Sequence, residues 1–302
     1  AADKTKTAAL SNPGFAQGLN GDAVIFYAGD TQGNLWKFDL QSGLSSENAE
    51  AAVKQGGSAP IPMAVFADSA GNRQPITTAP MVAPGLSYGF MVIVGTGKFI
   101  ERSDTSDLRK QAVYGVWDNL SNKAEDYQVG ASKLFQRTLN ENTGQLNGAD
   151  TFPYGDGTGT GSSKTYRGWY FELPASGERV SVEGDNRFGY AAINSMIPPP
   201  DCNVIGTGRS MAADNIYGSS VSSAVLVTSG YLGKPNIVLL DDSSGTYTYT
   251  ARSAVGRRDL VIKSAPVSST SEAKPKVVQG STVAVKVPAG RVGWREVKDF
   301  EE

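Results

Sequence analysis

Hydrophobic positions along this chain fall in short runs broken by Gly, Asp, Asn and Ser, the spacing of strands and tight turns rather than helices. The clearest case is YAGDTQGNLWKFDL, residues 27–40. AVIFYAG ahead of the turn is a β-rich apolar run. NLWKFDL alternates Trp36, Phe38 and Leu40 on one face with Leu35, Lys37 and Asp39 on the other. The pattern predicts a hairpin turning at Asp30 to Gly33. Gly33 can adopt positive φ there without steric cost, and the Asp30 side chain can accept bonds from the turn's own amides. Period-two spacing puts Trp36 and Phe38 on one face, which is expected to pack between neighbouring sheets.

Looser versions of this unit recur. VLLDDSSGTYTYTA (238–251) and GWYFELPASGERV (168–180) each join an apolar or aromatic run to a Gly turn, and SMAADNIYG (210–218) is a weaker copy. SYGFMVIVGTGKFI (87–100) and AVYGVWDN (112–119) add further strands. Irregular strand, Gly-turn and aromatic-strand units predict an all-β chain, with the blades of a β-propeller, partial or complete, as its architecture. A sandwich of unrelated hairpins is the alternative. Long polar connections separate the units, and only ENAEAAVK (47–54) and SDLRKQA (106–112) have the composition of short helices. Strand signals resume on both sides of every connection, so residues 1–302 are expected to form a single region.

Composition removes several functions. The 28 Lys and Arg against 30 Asp and Glu, with signs interspersed, give no basic field for nucleic acid or anionic lipid. No window approaches the roughly 20 apolar residues of a membrane-spanning helix. With no histidine there is no Ser-His-Asp relay and no His-bound zinc, and one cysteine, Cys202, cannot form a disulfide within the chain.

Chemical motifs are equally sparse. GDGTGTGSSKT (155–165) places Ser163 rather than Gly before Lys164 and runs into a strand pattern. GTGKFI (95–100) has Phe99 where a phosphate loop needs Ser or Thr, so both are expected to be turns. Asp30, Asp39, Asp118, Glu172, Asp214, Asp241 and Asp242 lie near strand ends and could in principle supply a glycosidase pair, but each also suits a turn or an edge. No complete EF-hand calcium loop is present.

Six ordered pieces together resemble the carboxyl-terminal β-propeller region of the PilC/PilY family of type IV pilus biogenesis proteins and tip adhesins. They are YAGDTQGNLWKFDL, PITTAPMVAPG (75–85), FMVIVGTGKFIERSD (90–104), QAVYGVWDN (111–119), GWYFELPASGERV and GRVGWREV (290–297). Tyr27, Asp30, Gly33, Trp36, Asp39, Trp169 and Trp294 are the signature positions within them. The resemblance implies a noncatalytic module at a bacterial cell surface, at the pilus tip or outer membrane. Such a module would oppose pilus retraction and support adhesion through protein contacts. Implied partners are pilus subunits or minor pilins, an amino-terminal part of a longer parent, and host or surface ligands. Some members carry a calcium loop before the YAGD strand. The matching positions here are Ala16, Gly18, Asn20 and Val24, with Asp22 displaced, so no calcium site and no other cofactor is expected. The rival readings are a quinoprotein-like or glycoside-active propeller enzyme and a structural subunit of an extracellular filament. A partial propeller would leave open edges at its ends, so self-association is expected near Val24 to Ala28 and at 290–297.

Overall fold

The computed structural model describes residues 8–266 apart from 18–20, 22, 41–53, 56–58, 122, 200–205, 222–224, 228–229, 242–245 and 254–258. Within them, strands carry the fold, and the helices are short 3-10 turns. The first sheet contains β1 (Gly14–Gln17), β2 (Ala23–Gly29) and β3 (Asn34–Asp39). After a small ladder of β4 (Lys54–Gln55) with β5 (Ala59–Pro60), it is completed by β6 (Ala64–Val65), in the order β1-β2-β3-β6.

The second sheet uses β7 (Met81–Pro84), β8 (Phe90–Gly95), β9 (Ala112–Asp118), β10 (Phe135–Leu139), β11 (Leu146–Asn147) and β12 (Gly168–Glu172). Its order is β11-β10-β12-β9-β8-β7, with β12 inserted between β9 and β10. β12 runs antiparallel to β9 but parallel to β10, pairing Phe135 with Trp169 and Arg137 with Phe171.

The third sheet holds β13 (Asp185–Arg187), β14 (Tyr190–Ile197), β15 (Thr207–Asp214) and β16 (Val225–Val227). The fourth is β17 (Pro235–Asp241), β18 (Thr246–Ser253) and β19 (Asp259–Pro266). The sheets follow chain order and pack in series, first on second, second on third, third on fourth. This is the blade arrangement of a propeller.

The stacking explains the continuous apolar runs, because a sheet buried on both faces needs hydrophobic residues at every position. On β8, Val92 and Val94 face the first sheet, joining Tyr27, Leu35, Phe66 and Ile76. The alternate residues Met91 and Ile93 face the third sheet, joining Ala191, Ile193, Met211 and Ala213. β9 splits the same way, Tyr114 and Val116 to one side, Val113 and Trp117 to the other. Trp169 of β12 is fully buried in the second cluster, where its indole N–H donates to the Asn215 carbonyl at 3.1 Å. Its ring fits because Gly115 and Gly218 lie against it: a Cβ at either position would come within 2.4 Å of the indole.

Two expectations are corrected. The strand at Val24 to Ala28 is not an edge, because β1 and β3 pair with β2 on its two sides. SDLRKQA is not helical: a 3-10 helix ends at Ser106, and the chain is extended again at β9. The expected helix at 47–54 lies outside the described residues except for Lys54, which is in β4.

Candidate functional site

The Asp30 to Gly33 turn is a closed hydrogen-bonding unit. Asp30 Oδ1 accepts the Gln32 and Asn34 amides at 2.8 and 2.9 Å, and Oδ2 accepts Asn34 Nδ2 and Trp36 Nε1 at 2.8 and 2.9 Å. Gly33 sits at φ +74°, and its amide donates to the Asp30 carbonyl at 3.1 Å. The carboxylate thus holds the backbone and fixes the Trp36 indole.

A twin of this turn follows at Asp68-Ser69-Ala70-Gly71-Asn72. There Asp68 accepts the Ala70 and Asn72 amides and Asn72 Nδ2 at 2.8 to 3.0 Å, and the Gly71 amide donates to the Asp68 carbonyl. The two turns touch. Arg73 donates to Asn34 Oδ1 at 2.9 Å, and the Phe66 amide donates to the Gly33 carbonyl at 2.8 Å. Setting DTQGN beside DSAGN would have found this repeat. A longer variant closes two other connections: Asn140 Oδ1 accepts the Asn142 and Thr143 amides, and Asp214 Oδ1 accepts those of Ile216 and Tyr217.

Around the first turn lies a small apolar niche of about 280 Å³, lined by Ala8, Leu10, Asp30, Trp36, Phe38 and Pro60. Phe38 continues a cross-strand row with Phe26 and Phe15. The Phe26 and Phe38 rings stack at 4.3 Å, and Phe15 lies 6.2 Å from Phe26. Trp36 and Phe38 are only half-buried, while Leu10 and Phe15 are exposed. The opposite face of β3 is the deeply buried one, with Leu35 fully covered and Lys37 3% exposed. The expected inward face is therefore reversed.

Lys37 can be buried because it meets a carboxylate. Its Nζ lies 3.0 Å from Asp118 Oδ1 and 2.9 Å from Oδ2, joining β3 of the first sheet to the end of β9 in the second. Tyr27, the cross-strand neighbour of Lys37, donates its hydroxyl to Asp118 Oδ2 at 2.6 Å. The Leu120 amide donates to Oδ1 at 2.8 Å. Burial, then the Asp118 charge, pushes the Tyr27 phenol far above its ordinary range, so Tyr27 holds its proton. A second buried pair, Arg209 with Glu178 at 3.2 Å, lies by the third sheet, where Ser195 also donates to Glu178.

Several candidate acids have assigned structural roles: Asp30 and Asp214 close turns, and Asp118 pairs with Lys37. Glu172 is half-buried at the end of β12, Asp39 is half-buried at the end of β3, and Asp241 ends β17. Among the described residues, no group of three or more His, Cys, Asp or Glu side chains is placed to hold a metal ion. Asn20, Asp22, Cys202, Asp242, Trp294 and the 290–297 segment lie outside the described residues. No helix among the described residues is long and apolar enough to cross a membrane.

The family model for the PilY1 beta-propeller domain matches residues 2–153. The type IV pilus biogenesis factor PilY1 of Pseudomonas aeruginosa strain PAO1 is 29% identical across 96% of this chain and 27% of its own length. A PilY1 homolog from Xylella fastidiosa strain Temecula1 is 37% identical over 33% of this chain and 7% of its own. The chain thus spans about a quarter of the first of these relatives. Among solved structures, the Pseudomonas aeruginosa PilY1 C-terminal domain superposes with a TM-score of 0.62 at 21% identity, covering 87% of this chain and 62% of that one. With its blades in series and its family model matched over half its length, the chain belongs to the PilY1 β-propeller family.

Proposed function

We propose that residues 1–302 form one propeller region of a longer bacterial surface protein that supports type IV pilus biogenesis without catalysis. The observation that carries this reading is the match across 96% of the chain to a type IV pilus biogenesis factor. The geometry is compatible with a scaffold: the carboxylates of Asp30, Asp68, Asp118 and Asp214 fix turns or neutralise a buried lysine.

The module acts through protein contacts, with pilus subunits or minor pilins as partners at the pilus tip or outer membrane. Opposition to retraction and adhesion to host or other surfaces are the finer parts of the proposal. The outer face of the first sheet, with Leu10, Phe15 and the Phe26–Phe38 stack, suits contact with the remainder of the parent protein. The test is a strain whose parent protein lacks this region but is still exported in normal amount. Electron microscopy should show few or no surface pili, and normal piliation would overturn the proposal.

A further inference from the structure

We propose that Lys37 and Asp118 condense spontaneously to an isopeptide bond, a covalent cross-link between the first and second sheets. The reacting atoms are already together, with Nζ within 3.0 Å of both carboxylate oxygens. The pair is sealed from water, the two side chains being 2% and 4% exposed. Both residues sit on paired strands, so the approach is held by the scaffold and the entropy of bringing amine to carboxyl has been removed in advance.

The reaction begins when a proton passes within the ion pair from Lys37 Nζ to the Asp118 carboxyl group, which frees the nitrogen lone pair. The Nζ lone pair then attacks Cγ and forms the C–N bond. Oδ1 is the oxygen retained, because the Leu120 amide at 2.8 Å stabilises the charge that develops on it. Leu120 holds a left-handed φ of 59°, unusual for a leucine, in the turn that directs this amide.

Oδ2 is the oxygen lost. Tyr27 donates to it at 2.6 Å and relays a proton, giving its own to Oδ2 while receiving one from the new nitrogen, so that the C–O bond breaks with water leaving. Ammonium and carboxylate enter, and one amide and one water result. The reaction needs no oxidant, metal or cofactor.

The cross-link would close a loop between residues 37 and 118, which includes the Asp68 turn and strands β4 to β8. A force drawn along the chain would then bypass this segment. That mechanical consequence depends on the pilus reading, but the bond itself does not.

The test is mass spectrometry of the purified protein after denaturation and trypsin digestion. Trypsin cuts after Lys and Arg, so the expected species is residues 7–54, uncut at Lys37, joined to residues 111–123, with the mass of one water missing. K37R should abolish this species, and because the digest is made on denatured chains the control holds even if K37R folds poorly. Y27F should form the link about a hundredfold more slowly, the scale of a lost proton relay. Free cleavage after Lys37, with both peptides at unaltered mass, would overturn the proposal. Linkage in Y27F as fast as in the natural chain would overturn the relay.

Discussion

The paired turns at Asp30 and Asp68 provide a measurement with its own control. Each aspartate makes the same bonds to the backbone and to the Asn four residues on, but their surroundings differ. Asp30, Gln32 and Asn34 are buried, and the Asp30 carboxylate also anchors Trp36, whereas Ala70 and Asn72 are exposed. Replacing Asp68 with Ala exposes two amides to water, which can bond them instead, so the expected loss is about 1 kcal/mol. Replacing Asp30 with Ala strands two buried amides, each worth about 1 to 3 kcal/mol, and frees the Trp36 indole. The expected loss is about 3 to 5 kcal/mol. Urea unfolding followed by tryptophan fluorescence reads both, with the m-value checked for constancy. If D30A and D68A lose equal stability, burial is not what separates the turns, and the reasoning fails.

Three further outcomes follow. Gly115→Ala should destabilise by about 1 to 3 kcal/mol, because its methyl would enter the Trp169 ring, and an unchanged midpoint of urea unfolding would show that the indole moves freely. Burial raises the Asp214 carboxyl, so its charged form is the unfavourable one, and any penalty develops as pH rises through the raised folded value. Asn140 closes the same kind of turn with an amide, so D214N should cost less than about 0.5 kcal/mol at neutral pH, a result that thermal melts would contradict by a large drop. In the 98–110 connection, burial raises the Asp104 carboxyl, but the Glu101 and Ile100 amides and Lys98 outweigh it. Arg109 leads in holding Asp107 low. Both folded values lie below the unfolded ones, so their stabilisation is present above the usual carboxylate range and is lost as pH falls through the depressed values. Melting temperature should therefore fall more steeply on acidification for the natural chain than for D104N.

What the sequence revealed depends on whether the cause was local. The Asp30 turn was legible because its donors lie within six residues of the acceptor. β8 and β9 were legible as strands, and their unbroken apolar runs were the mark of burial on both faces. The orientation of β3 was not legible. By its own alternation Lys37 belongs outside, and what brings it in is Asp118, a partner 81 positions away. The match of Trp169 with Gly115 and Gly218 was hidden for the same reason, since no local pattern shows which glycines will face one indole. The twin turn at Asp68 was present in the sequence as plainly as the first, but the aromatic strand that drew attention to Asp30 does not follow it.

The placement of β12 between β9 and β10 sets an order of events for a chain that emerges amino-terminus first. β9 and β10 are complete by Leu139, yet neither can pair with the other, because the position between them belongs to residues 168–172. Until those residues arrive, β9 presents a free edge in which all seven residues are destined for burial. Such an edge is the surface on which chains mispair with one another. Non-local closure of this kind is also slow, since the intervening 140–167 connection must be ordered before the parallel pairing returns any stabilisation. Mutations in that connection should therefore act more on yield and aggregation during synthesis or export than on the stability of the finished protein.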